Sequence, residues 1–189
     1  MEAAKAEYLK LFESLSSINQ CFDFSIKLSQ LGLDIDREFW TVNLKQLARA
    51  LGNHTIRLDM ADSTRTQNTL KICEEVHNTY HHNGQAIQAY LFRSENDVHH
   101  CIDNRIFIRL CKSAHKKHPD VALQSMDKIR EKFFKLACQI YKEEYQPAIA
   151  THYENLLVKL LGFIWQEKIN PNFFILKCCM ESEEIYKNT

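Results

Sequence analysis

The sequence predicts a mainly α-helical domain: a bundle of five or six helices, with a small antiparallel sheet as the α+β alternative. Three observations point there. Four glycines and three prolines in 189 residues leave few breaks in regular structure. Apolar residues recur mostly at i, i+3, i+4 and i+7, the period of a helix with one buried face. Hydrophobic residues make up 45% of the chain and charged residues 25%, enough apolar material for a sizeable core. This length fits one domain spanning 1–189.

The elements follow in order. Tyr8, Leu11, Phe12, Leu15 and Ile18 mark a helix over 3–20. Phe22 to Leu28 alternates apolar with polar and reads as a strand or a continuing helix. Asp36 caps a helix that runs to Leu51, and Gly52 supplies its left-handed stop. Ile56 to Met60 alternates again, a short strand. Thr64 and Gln67 form a capping box for a long helix, through Leu70, Cys73, Val76, Tyr80, Ile87 and Leu91, that Gly84 interrupts at a cost. A turn at 94–96 leads to a helix using Val98, Cys101, Ile102, Ile106 and Leu110. Pro119 and Pro147 each suit the first turn of a further helix, since the missing N–H is unpaired there anyway. Asn170-Pro171-Asn172 ends the last one, and Phe173 to Met180 is a short apolar, β-prone run.

Lys plus Arg and Asp plus Glu both number 24, so the formal net charge is zero. A dedicated nucleic-acid binder carries a basic excess or a basic face. Seven cysteines, an odd number, lie mostly within apolar patterns and read as buried free thiols of a reducing compartment. The opening residues MEAAKAEY contain no apolar run of a secretory leader, so the expected location is the cytoplasm. The sequon at Asn53-His54-Thr55 then has no meaning, and no stretch is long enough to span a membrane.

Three constellations carry chemistry. Glu74, His77 and His81 share one helix face. With a turn near Glu95, two antiparallel helices would bring His77 and His81 beside Cys111 and His115. Imidazole and thiolate ligands suit zinc. The alternative is chance proximity of surface histidines and a buried thiol. Gln46 to Leu58 resembles the first helix and turn of a helix-turn-helix, with His54 and Arg57 as the DNA-facing side chains. The proposed reading helix is acidic and poor in phosphate-binding cations, and a core helix ended by Gly52 explains it equally. Phe173, Phe174, Ile175, Leu176 and Trp165 form an apolar set able to dock a partner as an edge strand or helix, or to complete the core. The basic residues 112–118 suit a helix C-terminus.

No serine elbow, P-loop or dinucleotide glycine pattern is present. The leading expectation is therefore a non-enzymatic protein–protein interaction module. It would be an adaptor or chaperone-like subunit of a larger complex, such as one of bacterial secretion, with no cofactor and another protein chain as its partner. A DNA-binding regulator and a zinc-binding helical domain are the alternatives.

Overall fold

The structure, a computed structural model, describes residues 2–15, 18, 20–27, 37–52, 54–60, 65–112, 117–143, 147–170 and 175–177; at 2–4, 27, 37 and 175–177 it describes the backbone alone. Helices and strands alternate: α1 (Glu2–Leu15), β1 (Asp23–Lys27), α2 (Arg37–Leu51), β2 (Thr55–Asp59), α3 (Thr66–His77), β3 (Asn83–Gln88), α4 (Ser94–Asp103), β4 (Phe107–Cys111), α5 (Met126–Glu143), β5 (Ala148–Ala150), α6 (Glu154–Gln166) and β6 (Ile175–Lys177). The six strands form one sheet in the order β1-β2-β3-β4-β5-β6, every neighbouring pair parallel. Each helix from α2 to α6 is thus a crossover between adjacent parallel strands, the βαβ unit, and α1 precedes the first strand.

This overturns the mainly α bundle and its antiparallel-sheet alternative. The long helix expected through Leu91 stops at His77, and its continuation is β3. All six residues of β3 are buried, so no polar–apolar alternation marks it as a strand. The helix expected through Ile106 and Leu110 is α4 followed by β4. Pro147 precedes a strand, and α6 begins only at Glu154. The helix-turn-helix reading fails at the same level: Gly52 does terminate α2 with φ +63°, but His54 to Leu58 then enters β2. Arg57, offered as a DNA contact, is 1% exposed. Thr64, Asp36 and Asn53 lie outside the described residues.

The two sheet faces differ in chemistry. Phe24, Ile26, Ile56, Leu58, Ile87, Ile108, Leu110 and Ile149 pack in one cluster with Trp40, Leu44 and Leu47 of α2, Val76 of α3, Val98 of α4, Phe133 and Ile140 of α5 and Leu160 of α6. Parallel register places the alternate residues together on the opposite face: Asp23 with Thr55, Ser25 with Arg57, Arg57 with Gly84, Gly84 with Phe107, Ala86 with Arg109, Gln88 with Cys111. That face is concave. Arg109 Nη1 donates to Ser25 Oγ. Their strands stand three apart, about 14 Å across a flat sheet, and only a sheet curling into part of a barrel brings them into contact.

At the N-terminal end of the strands, the ring of His77 ties α3 to β3. Asn83 Nδ2 donates to the Cys73 carbonyl at 2.8 Å, which turns Oδ1 toward His77 Nδ1 at 2.6 Å. His77 Nδ1 therefore carries the proton and Nε2 the lone pair. Burial, the main cause, lowers the His77 pKa below its ordinary value, and the Asn83 bond offsets this in part. The unfolded chain then takes up this proton first as pH falls. The resulting stability is present above the ordinary imidazole pKa and is lost as pH drops through the folded one. Urea midpoints measured from neutral to mildly acidic pH are expected to fall more steeply in the native protein than in His77→Gln.

Trp165, placed among the partner-binding residues, is 87% exposed on α6, beside the exposed Val158 and Leu161. Trp165→Ser is expected to change unfolding free energy by less than about 0.5 kcal/mol, as for surface positions generally. Thermal unfolding by circular dichroism checks it.

Candidate active site on the concave face

In parallel α/β barrels, functional side chains gather where strands end, because the strand–helix loops there are free to vary over a rigid frame. Here the C-terminal residues on the concave face include Asp59, Gln88, Cys111 and Ala150, the last three in register with one another. Arg109 lies one residue before the end of β4. Its Nη2 pairs with Asp59 Oδ1 across β3. Ala86 stands in register with Arg109 and offers only a methyl group, so the guanidinium can cross over it. Asp59 and Arg109 side chains are 25% and 15% exposed, an ion pair set into the face but reachable from it.

Below that layer, Arg57 Nε donates to Asp23 Oδ2 at 2.9 Å, and its guanidinium lies 6.0 Å from the centre of the Phe107 ring. Phe107 stands beside Gly84, where a Cβ would come within 2.5 Å of the Phe107 carbonyl oxygen. This ion pair and ring close the floor.

The loop after β3 holds Gln88 in place. Ala89 N–H donates to the Cys111 carbonyl at 2.8 Å and Tyr90 N–H to that of Lys112 at 3.2 Å, prolonging the β3–β4 ladder. Ser94 Oγ donates to the carbonyls of Ala89 and Leu91. Arg93 makes a two-pronged bond to Asp97, at 2.7 and 2.8 Å, the stronger form of ion pair. Gln88 itself is 5% exposed, and its carboxamide bonds no other described side chain or carbonyl. Its donor and acceptor are left to a ligand or solvent.

The site residues read from the sequence fall elsewhere. His77 and His81 lie next to the start of β3, while Cys111 ends β4 at the opposite end of the sheet, so these three do not converge. His115 lies outside the described residues, among which no group of three or more His, Cys, Asp or Glu could hold a metal. His54 Nδ1 accepts from Phe22 N–H at 3.2 Å, a bond between β1 and β2 segments rather than a DNA contact. Ile175 and Leu176 belong to β6 and pair with Ala148 and Ile149, while Phe173 and Phe174 lie outside the described residues. Asp59, Gln88 and Arg109 were missed. Asp59 and Arg109 carry one signal, charge placed inside an apolar strand, as in Ile56-Arg57-Leu58-Asp59 and Ile108-Arg109-Leu110, and Gln88 carries none.

The fold defines the class: a parallel α/β part-barrel with a polar concave face. It is shared with proline utilization A (PutA) from Bdellovibrio bacteriovorus, which superposes with a TM-score of 0.78 at 16% identity, over 93% of this chain and 23% of that one. In sequence the chain is 32% identical over 135 residues to proline dehydrogenase 2 of Bacillus subtilis, covering 70% of this chain and 45% of that protein. It is 26% identical over 173 residues to proline dehydrogenase 1 of the same organism, covering 89% and 56%. The chain therefore spans about half the length of the curated relatives it matches. No family model matches it.

These relatives overturn the expectation of a non-enzymatic adaptor or chaperone, since they are enzymes. The expectation of no cofactor falls with it, because a dehydrogenase needs an acceptor for the electrons it removes. On location, the structure supports a narrower statement: among the described residues no helix is long and apolar enough to cross a membrane.

Proposed function

We propose that this chain carries strands of the catalytic barrel of a flavin-dependent proline dehydrogenase, with the cofactor at the C-terminal ends of β2 to β5. The Asp59–Arg109 pair beside the uncommitted Gln88 carboxamide on one concave face carries the reading. The relatives named proline dehydrogenase support it, and such enzymes depend on FAD.

The residues fit that group. A flavin ring presents alternating hydrogen-bond donors and acceptors along one edge, and the Gln88 carboxamide offers one of each. Ala148 and Ala150 carry only methyl groups, so β5 places no large side chain on this face of the sheet. Arg109 brings a fixed positive charge, oriented beforehand by Asp59 and Ser25. Bound FAD would supply the hydride acceptor for oxidation of an amine to an imine.

The chain's own side chains do the rest. Arg109 favours negative charge wherever it develops nearby, and its fixed orientation avoids reorganisation during reaction. Gln88 orients its ligand by paired hydrogen bonds. The Arg57–Asp23–Phe107 floor seals the N-terminal end of the strands and keeps water out from below. We also propose that Trp165, exposed on α6 beside Val158 and Leu161, forms an apolar strip on which a further helix or chain packs.

Anaerobic addition of proline to the FAD-loaded protein tests the proposal. Bleaching of the flavin absorbance by proline and not by glycine is expected. A flavin that binds but is never reduced by proline would contradict the substrate assignment.

A further inference from the structure

A cavity lies at the N-terminal end of the strands, the opposite end from the chemistry proposed above. It measures about 800 Å³. His77, His81, His82 and Arg105 supply its polar wall and Ile102 and Phe107 its apolar one. Glu143 is the only carboxylate among the described residues that line it. Arg105 makes no ion pair with any described residue. It occupies the left-handed region, φ +56°, just past the end of α4, a position that favours glycine. The Asn83 bond leaves the Nε2 edge of His77 free, and the rings of His77 and His81 stand 5.3 Å apart, edge to face.

A permanent cation beside three imidazoles disfavours a metal ion, and the described residues contain no metal-binding group of three. The same set suits an anion. Protonation gives His77 a second N–H at Nε2, and His81 and His82 bring further imidazole N–H donors to the same wall. Arg105 adds a planar fork matched to phosphate oxygens. The charged groups facing His77 are His81 and His82 from the turn after α3, Arg105 from the turn after α4 and Glu143 from the end of α5. Cys73, the titratable neighbour beyond Asn83, stays neutral, since burial raises its pKa far above the physiological range.

We propose that this pocket binds a small organic phosphate in a proton-linked manner, with the phosphate on Arg105 and the imidazoles and the apolar body on Ile102 and Phe107. Binding draws a proton onto His77, whose pKa burial holds below the ordinary imidazole value, so affinity rises as pH falls.

Phenyl phosphate and inorganic phosphate, titrated by calorimetry near pH 6 and near pH 8 (roughly either side of the imidazole range), test this. Phenyl phosphate is expected to bind roughly tenfold more tightly at the lower pH, the effect of about one proton-linked unit. Equal affinity for inorganic phosphate would retain the site and assign it to the free ion. Arg105→Gly is the decisive variant. Glycine relieves the left-handed backbone, so its Tm is expected to equal or exceed that of the native protein while phosphate affinity is lost. His82→Gln, at an exposed position, is expected to weaken binding. Absence of binding, binding independent of pH, or full affinity in Arg105→Gly would overturn the proposal.

Discussion

Gly84→Ala is expected to destabilise the protein by about 3 kcal/mol, at the upper end for overpacking a core. Gly84 lies in β3 between β2 and β4, paired with Arg57 on one side and Phe107 on the other. An added Cβ would stand 2.5 Å from the Phe107 carbonyl oxygen and 2.9 Å from the Phe107 Cβ. Neither atom belongs to a flexible tip, so the strands themselves must separate. That would break ladder bonds in the middle of the sheet and lift Phe107 from the Arg57 guanidinium. Gly162 is the internal control. It lies in α6 with nothing within 4 Å of the added carbon. Gly162→Ala is expected to stabilise by about 0.8 kcal/mol, the helix preference for alanine. Urea unfolding of the two variants should move in opposite directions. Equal effects would mean that the close β3–β4 contact is not what Gly84 serves.

The second large effect concerns Arg109. Arg109→Met keeps an extended side chain over Ala86 but removes the charge that Asp59 and Ser25 hold in place. On the proposed function, loss of flavin from the purified protein is expected, with proline oxidation at saturating FAD lowered roughly a hundredfold, the scale for one preorganised electrostatic group. Destabilisation should be smaller, about 1–2 kcal/mol, because both members of the Asp59 pair retain some solvent contact. Arg109→Lys restores charge without the fork that spans Asp59 and Ser25, and partial recovery of flavin is expected. The ratio of visible to protein absorbance reads flavin content directly. Wild-type flavin content in Arg109→Met would remove Arg109 from the cofactor site.

The part of the fold legible in the sequence was the part whose two faces differ in polarity. β1 and β2 alternate polar with apolar residues, so both read as strand candidates, and Gly52 marks the end of α2 correctly. β3 and β5 are buried along their whole length and carry no alternation. Ile87 and Leu91 then continued the spacing of α3, and two βα units merged into one imagined helix. A parallel sheet declares itself through the recurrence of strand and helix along the chain, and each strand here is short enough to hide within its neighbours' helical pattern. The site was less legible still. Cys111 was singled out, but for a metal site with His77 that lies at the other end of the sheet. Asp59, Gln88 and Arg109 are far apart in sequence, and only the curl of the sheet brings Arg109 onto Asp59 and Ser25.

The most direct test of the account is titration of the purified protein with FAD, followed by quenching of flavin fluorescence and by the visible spectrum. One FAD per chain, with Gln88→Leu and Arg109→Met each weakening the complex, is the predicted result. A native, folded protein that leaves FAD fluorescence unchanged, or binds it equally well in both variants, would contradict the placement of a flavin on the concave face.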